Sequence, residues 1–150
     1  MLVARWSHVE FRRRPGRLRG AEIRPLEHYE VVGDRAFYRA SGTVTLEQGV
    51  ALVEQAIDRT RAAGLTELLI DLTGLSGFLT PSLSERFASA ERWAQASAMS
   101  VRLALVAPAT WLDPERFGVV VLANRGVTAT AVETEAEALA WFDSFRGAPR

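Results

Sequence analysis

Hydroxyl side chains cluster directly after one short apolar run of this sequence. The run is "LLIDL", and the segment from Asp71 to Phe87 reads "DLTGLSGFLTPSLSERF". Thr80 and Ser82 flank Pro81 where a helix is predicted to start, and a hydroxyl there can cap a backbone N–H. A helix N-terminus also favours a phosphate group. The cluster is therefore a candidate phosphorylation switch, a candidate binding surface or a pair of helix caps.

Motifs for catalysis are incomplete. The segment "GLSG", Gly74 to Gly77, resembles a nucleophile elbow, but Phe78 stands where G-x-S-x-G needs its second glycine. Both histidines, His8 and His28, precede this serine, whereas hydrolases of that type place the histidine after it. Asp71 is predicted to cap the following turn. With phosphate-binding and dinucleotide fingerprints also missing, we expect no catalytic residue, no cofactor and no metal site.

Large apolar residues occupy two predicted loops. Phe78 and Leu79 lie in a turn, where polar residues are usual, and Trp111 and Leu112 follow the next strand in "PATWLDP". Carboxyl ends of parallel strands share one edge of a sheet, where open α/β sheets bind ligands. We predict an apolar patch or pocket there, formed by Phe78, Leu79, Trp111 and Phe117. The alternative is that these side chains only cover helix ends and core.

The elements that position these residues alternate along the chain. "EHYEVV" and "RAFYRASGTV" read as a hairpin turning at Gly33 and Asp34. "ELLIDL", "VRLALVA" and "TATAV" read as further strands, and apolar residues at helical spacing predict a helix after the hairpin and after each of these strands. Thr45 and Thr134 open capping boxes. The order ββαβαβαβα predicts an α/β fold, a mixed and mostly parallel sheet of about five strands with four helices.

The starts of the second and third helices carry local signals. Pro81 suits a first helical position because its missing N–H costs nothing there, and Thr80 would then be the N-cap. Ser82 with Glu85 forms a second candidate capping box. Either cap would contribute about 1 kcal/mol. Residues 113–115, "DPE", mark the predicted start of the third helix.

Composition indicates a soluble globular domain. The chain has 150 residues, 48% apolar and 24% charged, and no cysteine, which excludes disulfides and thiolate metal sites. No apolar run approaches the ~20 residues of a membrane helix, and the N-terminus lacks the apolar core of a signal peptide. We therefore expect a cytoplasmic protein without a transmembrane segment.

Charge divides the chain into a basic start and a mildly acidic body. All 18 basic residues are arginine, and residues 1–24 hold seven of them against two glutamates. We interpret residues 1–22 as a flexible extension, 23–146 as one domain and 147–150 as a tail. A basic arm for acidic lipid or nucleic acid is the alternative for the extension. The acidic body gives no sign of nucleic-acid binding.

Three segments carry a family resemblance: "LLIDLTGLSGFLTPSL", "GTVTLEQGVALVEQAI" and "EAEALAWF". Together they resemble the STAS family of anti-anti-sigma factors, and in particular its SpoIIAA-like bacterial branch. The resemblance runs from about Tyr29 to Phe145. It implies a small α/β domain with the STAS-like order of elements, which binds proteins and does not catalyse. It also makes a homodimer an expectation, since SpoIIAA-like domains often pack in pairs.

The resemblance does not extend to the serine that is phosphorylated in this family. Anti-anti-sigma factors are phosphorylated on a serine within Asp-Ser-Ser-Gly, at the start of the helix that follows the strand. Aligned without gaps, these four positions correspond to Leu79, Thr80, Pro81 and Ser82, so the phosphorylated serine is replaced by Pro81, which has no hydroxyl. We therefore expect Thr80 and Ser82 to cap the helix and not to be phosphorylated.

Two functions remain open. The first is a non-enzymatic, STAS-like protein-interaction and regulatory module with an unidentified protein partner, and it predicts a convex apolar loop surface. The second is binding or sensing of a small apolar, lipid-like ligand at the carboxyl end of the sheet, and it predicts an apolar cavity of at least ~300 Å³. The candidate surface for ligand or partner comprises Phe78, Leu79, Thr80, Ser82, Trp111 and Phe117.

Overall fold

The computed structural model describes residues 26–112 and 114–146. The whole basic extension predicted for 1–22 and the predicted tail at 147–150 therefore lie outside the described residues, as does residue 113 of the predicted third helix start. The strands are β1 (Tyr29–Val32), β2 (Arg35–Thr43), β3 (Glu67–Ser76), β4 (Arg102–Val106) and β5 (Ala129–Val132). The helices are α1 (Leu46–Ala62), α2 (Leu83–Ser97), α3 (Phe117–Asn124) and α4 (Glu135–Arg146).

The five strands form one mixed sheet in the order β1-β2-β3-β4-β5. The hairpin strands β1 and β2 pair antiparallel, and the other three neighbouring pairs are parallel. The predicted α/β class, with a mixed five-stranded sheet and four helices, is confirmed. None of the helices in the described part of the chain has the length and apolar content needed to cross a membrane.

Both faces of the sheet are covered by helices. On one face α1, α2 and α3 pack against inward residues such as Ile70 and Leu103, which are fully buried. On the other face Ala138 and Phe142 of α4 pack against Leu69. Because successive strand residues point to opposite faces, Leu69 and Ile70 belong to different layers of the core. Covering on both sides explains why "ELLIDL" is apolar on both faces.

Two helices begin at the predicted capping boxes. The Thr45 hydroxyl accepts the backbone N–H of Gln48 at 3.0 Å, and the Gln48 side chain accepts the N–H of Thr45 at 2.9 Å. Thr134 and Glu137 make the same reciprocal pair before α4, at 3.1 Å in both directions. Both boxes satisfy donors that the first helical turn leaves without partners.

The start of α2 differs from one of the two predicted arrangements. Ser82 is the N-cap, in a capping box with Glu85, and the helix begins at Leu83. Pro81 therefore precedes the cap instead of occupying the first helical position, and Thr80 is not the cap. The physical reason is that the Ser82–Glu85 pair satisfies two N–H groups, whereas Thr80 alone would satisfy one.

The start of α3 also lies later than the sequence predicts. The helix begins at Phe117, and Pro114 and Glu115 form a turn before it. Arg116, which lies between this turn and the helix, has a left-handed backbone with φ of 53°. A left-handed residue cannot continue a right-handed helix, so the signals at 113–115 are separated from α3 by this reversal.

Strand β3 is longer than the predicted "ELLIDL". It continues to Ser76, pairing Gly74 with Ser41 of β2 after an irregularity in the register. A Cβ at Gly74 would lie 2.8 Å from the carbonyl oxygen of Ala40, so only glycine permits this close pairing. The extension buries Leu75 and delivers the chain to the carboxyl edge, so the glycine-rich turn begins at Gly77.

Candidate functional site

An apolar cavity of about 140 Å³ lies between the carboxyl half of the sheet and the helices α1, α2 and α3. Its walls are almost entirely apolar, and it is partly open to solvent. The apolar residues that line it include Leu46, Val50, Val53, Leu72, Leu75, Phe78, Ala90, Trp93, Leu105, Trp111, Phe117 and Leu122. We refer to this space as the apolar cavity.

Regular elements form the walls of the apolar cavity. Val50 and Val53 lie on the buried face of α1, at helical spacing. Leu105 of β4 belongs to the same layer of the core. Trp93 of α2 donates its indole N–H to the carbonyl oxygen of Val50 at 3.2 Å, which ties α2 to α1. Ala90 lies one turn earlier in α2, and its small side chain leaves room for the cavity.

The two predicted apolar loops meet at the cavity. The rings of Phe78 and Trp111 lie 5.2 Å apart between centroids, at a tilt of 34°. Such tilted, close pairs are a favoured arrangement of aromatic rings. Phe117 lines the cavity as well. The parallel strands β3 and β4 therefore bring Phe78 together with Trp111 and Phe117, which follow it by more than thirty residues in the sequence.

The remaining candidate residues lie outside the cavity. The Leu79 side chain is 89% exposed, and Thr80 is also exposed. Ser82 is engaged in its capping box, where its hydroxyl accepts the N–H of Glu85 at 3.2 Å. Leu79, Thr80 and Ser82 therefore belong to the outer surface around the start of α2, whereas Phe78 and Pro81 of the same loop line the cavity.

Asp71 does not cap a turn as predicted, because β3 continues past it, and its side chain instead binds the next part of the same strand beside the register irregularity. Its Oδ1 accepts the backbone N–H of Thr73 at 2.9 Å and the Thr73 hydroxyl at 2.6 Å. Partial burial raises the pKa of the Asp71 carboxyl, but the hydrogen bonds from Thr73, a hydrogen bond with Glu135 and the charge of Arg39 together hold the pKa below its usual value. The next residue, Leu72, lines the cavity, and strand alternation points Asp71 to the opposite face of the sheet.

Polar groups around the cavity are bound to their own chain. Arg86 donates its Nε–H to the carbonyl oxygen of Pro81 at 3.0 Å, and Ser89 donates its hydroxyl to that of Glu85 at 2.8 Å. Arg116 donates to the carbonyl oxygen of Ala131 on β5. Among the described residues no carboxylate and no histidine lines the cavity. The arrangement can bind an apolar group, and it shows no paired acid and base.

Two residues that line the cavity, Trp93 and Arg116, were not among the candidate site residues predicted from the sequence. The spacing of Trp93 from Ala90 is the signal that puts both on one helix face. Arg116 carries no local signal, because its left-handed backbone is imposed by the path of the chain between β4 and α3.

Comparisons of the chain with models of protein families, with curated proteins and with solved structures return no match. Three features of the described residues bear on function: the apolar cavity, the exposed apolar side chains near the start of α2, and the arginines that line the cavity.

Proposed function

We propose that this protein is a non-enzymatic binding domain that takes up a small apolar ligand in the apolar cavity. The observation that carries the proposal is a partly open cavity of about 140 Å³ with apolar walls. The volume is close to that of an engineered apolar cavity of about 150 Å³ in another protein, which stays dry and binds benzene. The volume is smaller than the ~300 Å³ expected for a lipid-like ligand. The proposal therefore narrows to a ring, a branched alkyl group or the end of a longer chain.

Binding such a group would recover contacts that the empty space lacks. Atoms that line a void have no partners on one side and lose their dispersion energy there. The Phe78 and Trp111 rings present flat apolar surface to a ligand at this point. An aromatic ligand would gain offset contacts with these rings in addition to the burial of its own surface.

Filling the cavity from within is expected to abolish binding. Ala90→Leu places a larger side chain in the space, because Ala90 lines the cavity and is only 2% exposed. We expect its affinity for toluene, measured by isothermal titration calorimetry, to fall about tenfold or more. Ala88→Leu makes the same change at an exposed position of α2 and should leave the affinity unchanged. Equal toluene binding by both variants, or no binding by the wild type, would refute this function.

A second function follows from the resemblance of the sequence to the STAS family. We infer a protein-interaction module in which Pro81 replaces the phosphorylated serine of the family. The exposed apolar residues around α2 support this function. Leu83 is 61% exposed and lies one turn before Phe87, which is 40% exposed. Phe87 in turn lies 6.4 Å from the Phe117 ring of α3. We call Leu79, Leu83 and Phe87 the α2 patch. Its proposed occupant is a second copy of the chain, since symmetric dimers are the commonest oligomers.

Self-association through the α2 patch can be tested directly. We expect light scattering after gel filtration to report a dimer for the wild type and a monomer for Leu83→Glu, because a charge in an apolar interface loses its hydration. Val32→Glu provides the control, since Val32 is 57% exposed on the edge strand β1. A monomeric wild type at ~100 µM, a concentration well above the Kd of a specific dimer, would contradict self-association.

A further inference from the structure

The described charged side chains that line the apolar cavity are both arginines. The charged side chains among its lining residues are Arg86 and Arg116, and no described carboxylate lines it. Arg86 contributes to the start of α2, where its Nε–H is bound to the carbonyl oxygen of Pro81. Arg116 is the lining cation whose side chain is exposed to solvent. The opening therefore combines an apolar interior with a positive charge at Arg116.

Arg116 differs from the arginines that support the fold. Arg39 and Arg92 each pair with glutamates, at distances of 2.6 to 2.9 Å. The side chain of Arg116 instead donates to a neutral acceptor, the carbonyl oxygen of Ala131, and forms no ion pair with a described carboxylate. A guanidinium carries five N–H donors in a planar fork. Among the described residues the acceptor of this fork is Ala131, so its remaining donors can serve a ligand.

The position of Arg116 is also held by the backbone. It is the residue before α3, with a left-handed φ of 53°, which costs about 1–2 kcal/mol for a side chain of this type. Its bond to Ala131 connects this strained turn to β5 at the same edge of the sheet. The guanidinium is therefore anchored beside the cavity and is not a freely moving surface group.

We propose that the ligand is a small amphipathic acid, with an aromatic or branched alkyl group in the apolar cavity and a carboxylate at Arg116. The inference rests on the proposed ligand-binding function and specifies its chemistry. Guanidinium and carboxylate groups form charge-assisted, often bidentate hydrogen bonds. The apolar group alone would bind without regard to charge, whereas this arrangement prefers an anion.

Two probes of nearly equal shape separate these effects. Phenylacetate and 2-phenylacetamide share the same ring and differ in the charge of the group that would reach Arg116. We expect calorimetry at low salt to show phenylacetate binding the wild type about fivefold to tenfold more tightly. The preference should decrease as salt is added, because the contact lies at an exposed position.

Variants assign the preference to one side chain. Arg116→Asn suits the left-handed backbone and should reduce the ratio of the two affinities to about one. Arg116→Lys keeps the charge without the planar fork and should retain part of the preference. Arg125→Gln is the matched control, because Arg125 pairs with Glu91 outside the cavity lining and should leave the ratio unchanged.

Each outcome has a defined meaning. Equal binding of both probes by the wild type would overturn the acid preference and leave the proposed function standing. Binding of neither probe by a protein that binds toluene would overturn the amphipathic acid and leave the proposed function standing, whereas failure to bind toluene as well would overturn both. A preference that survives in Arg116→Asn, shown to be folded by its cooperative thermal unfolding, would overturn the assignment to Arg116.

Discussion

Replacing Glu67 by glutamine is expected to lower the free energy of unfolding by about 3–5 kcal/mol. The Glu67 side chain is 4% exposed at the start of β3, and its carboxylate accepts from Arg35 at 2.9 Å, from Arg146 at 2.5 Å and from Arg102 at 3.4 Å. These arginines belong to β2, α4 and β4. The neutral amide cannot balance three cations, and Arg35, whose side chain is only 12% exposed, would lose its buried partner.

Urea unfolding of the two proteins measures this loss. Glu54→Gln is the matched control, because Glu54 pairs with Arg92 at 2.6 Å but its side chain is 34% exposed. Exposed ion pairs contribute little to stability, so the free energy of unfolding of this control should fall by less than about 1 kcal/mol. Equal losses of unfolding free energy in the two variants would show that burial does not make the ion pairs of Glu67 more stabilising than exposed pairs.

Replacing Gly77 by alanine is expected to cost about 2–5 kcal/mol and to weaken ligand binding. Gly77 has φ of 109°, a backbone that side chains with a Cβ rarely adopt. Its added Cβ would lie 2.4 Å from the carbonyl oxygen and 2.8 Å from the nitrogen of Val44. The backbone must therefore move, and with it the adjacent Phe78, whose ring pairs with Trp111 at the cavity.

Gly118→Ala is the control for the chemical change. Gly118 lies within α3, where a Cβ would meet nothing within 4 Å. We expect this variant to gain about 0.5–1 kcal/mol, because alanine loses less backbone entropy than glycine in a helix. Thermal unfolding of both variants measures stability, and toluene titration is applied to Gly77→Ala and the wild type, because Gly118 itself lines the apolar cavity. A Gly77→Ala protein as stable as the wild type would show that the path of this loop does not depend on the glycine.

The order of elements and two of the helix starts could be predicted from the sequence alone. Apolar spacing identified the hairpin and the alternation of strands and helices, and the boxes at Thr45 and Thr134 were correct. These features depend on the period of side chains along an element and on hydrogen bonds across three residues. Such interactions are local, so the types and spacing of neighbouring residues are enough to predict them.

Other features depend on contacts between distant segments. The extension of β3 to Ser76 requires β2 beside it, and the delayed start of α3 follows from the left-handed Arg116, whose side chain bonds to β5. The sequence predicted that Phe78 and Leu79 would act together, yet Phe78 lines the cavity while Leu79 is exposed.

The sequence by itself determined which apolar residues would reach the carboxyl edge of the sheet, because strand order and direction place Phe78 and Trp111 there. Only the tertiary structure decided that a cavity remains between them, what its volume is, and that Arg116 stands beside it. A cavity is the space left after side chains from several elements have packed. Its size and charge therefore depend on how closely those elements approach one another, which no local pattern records.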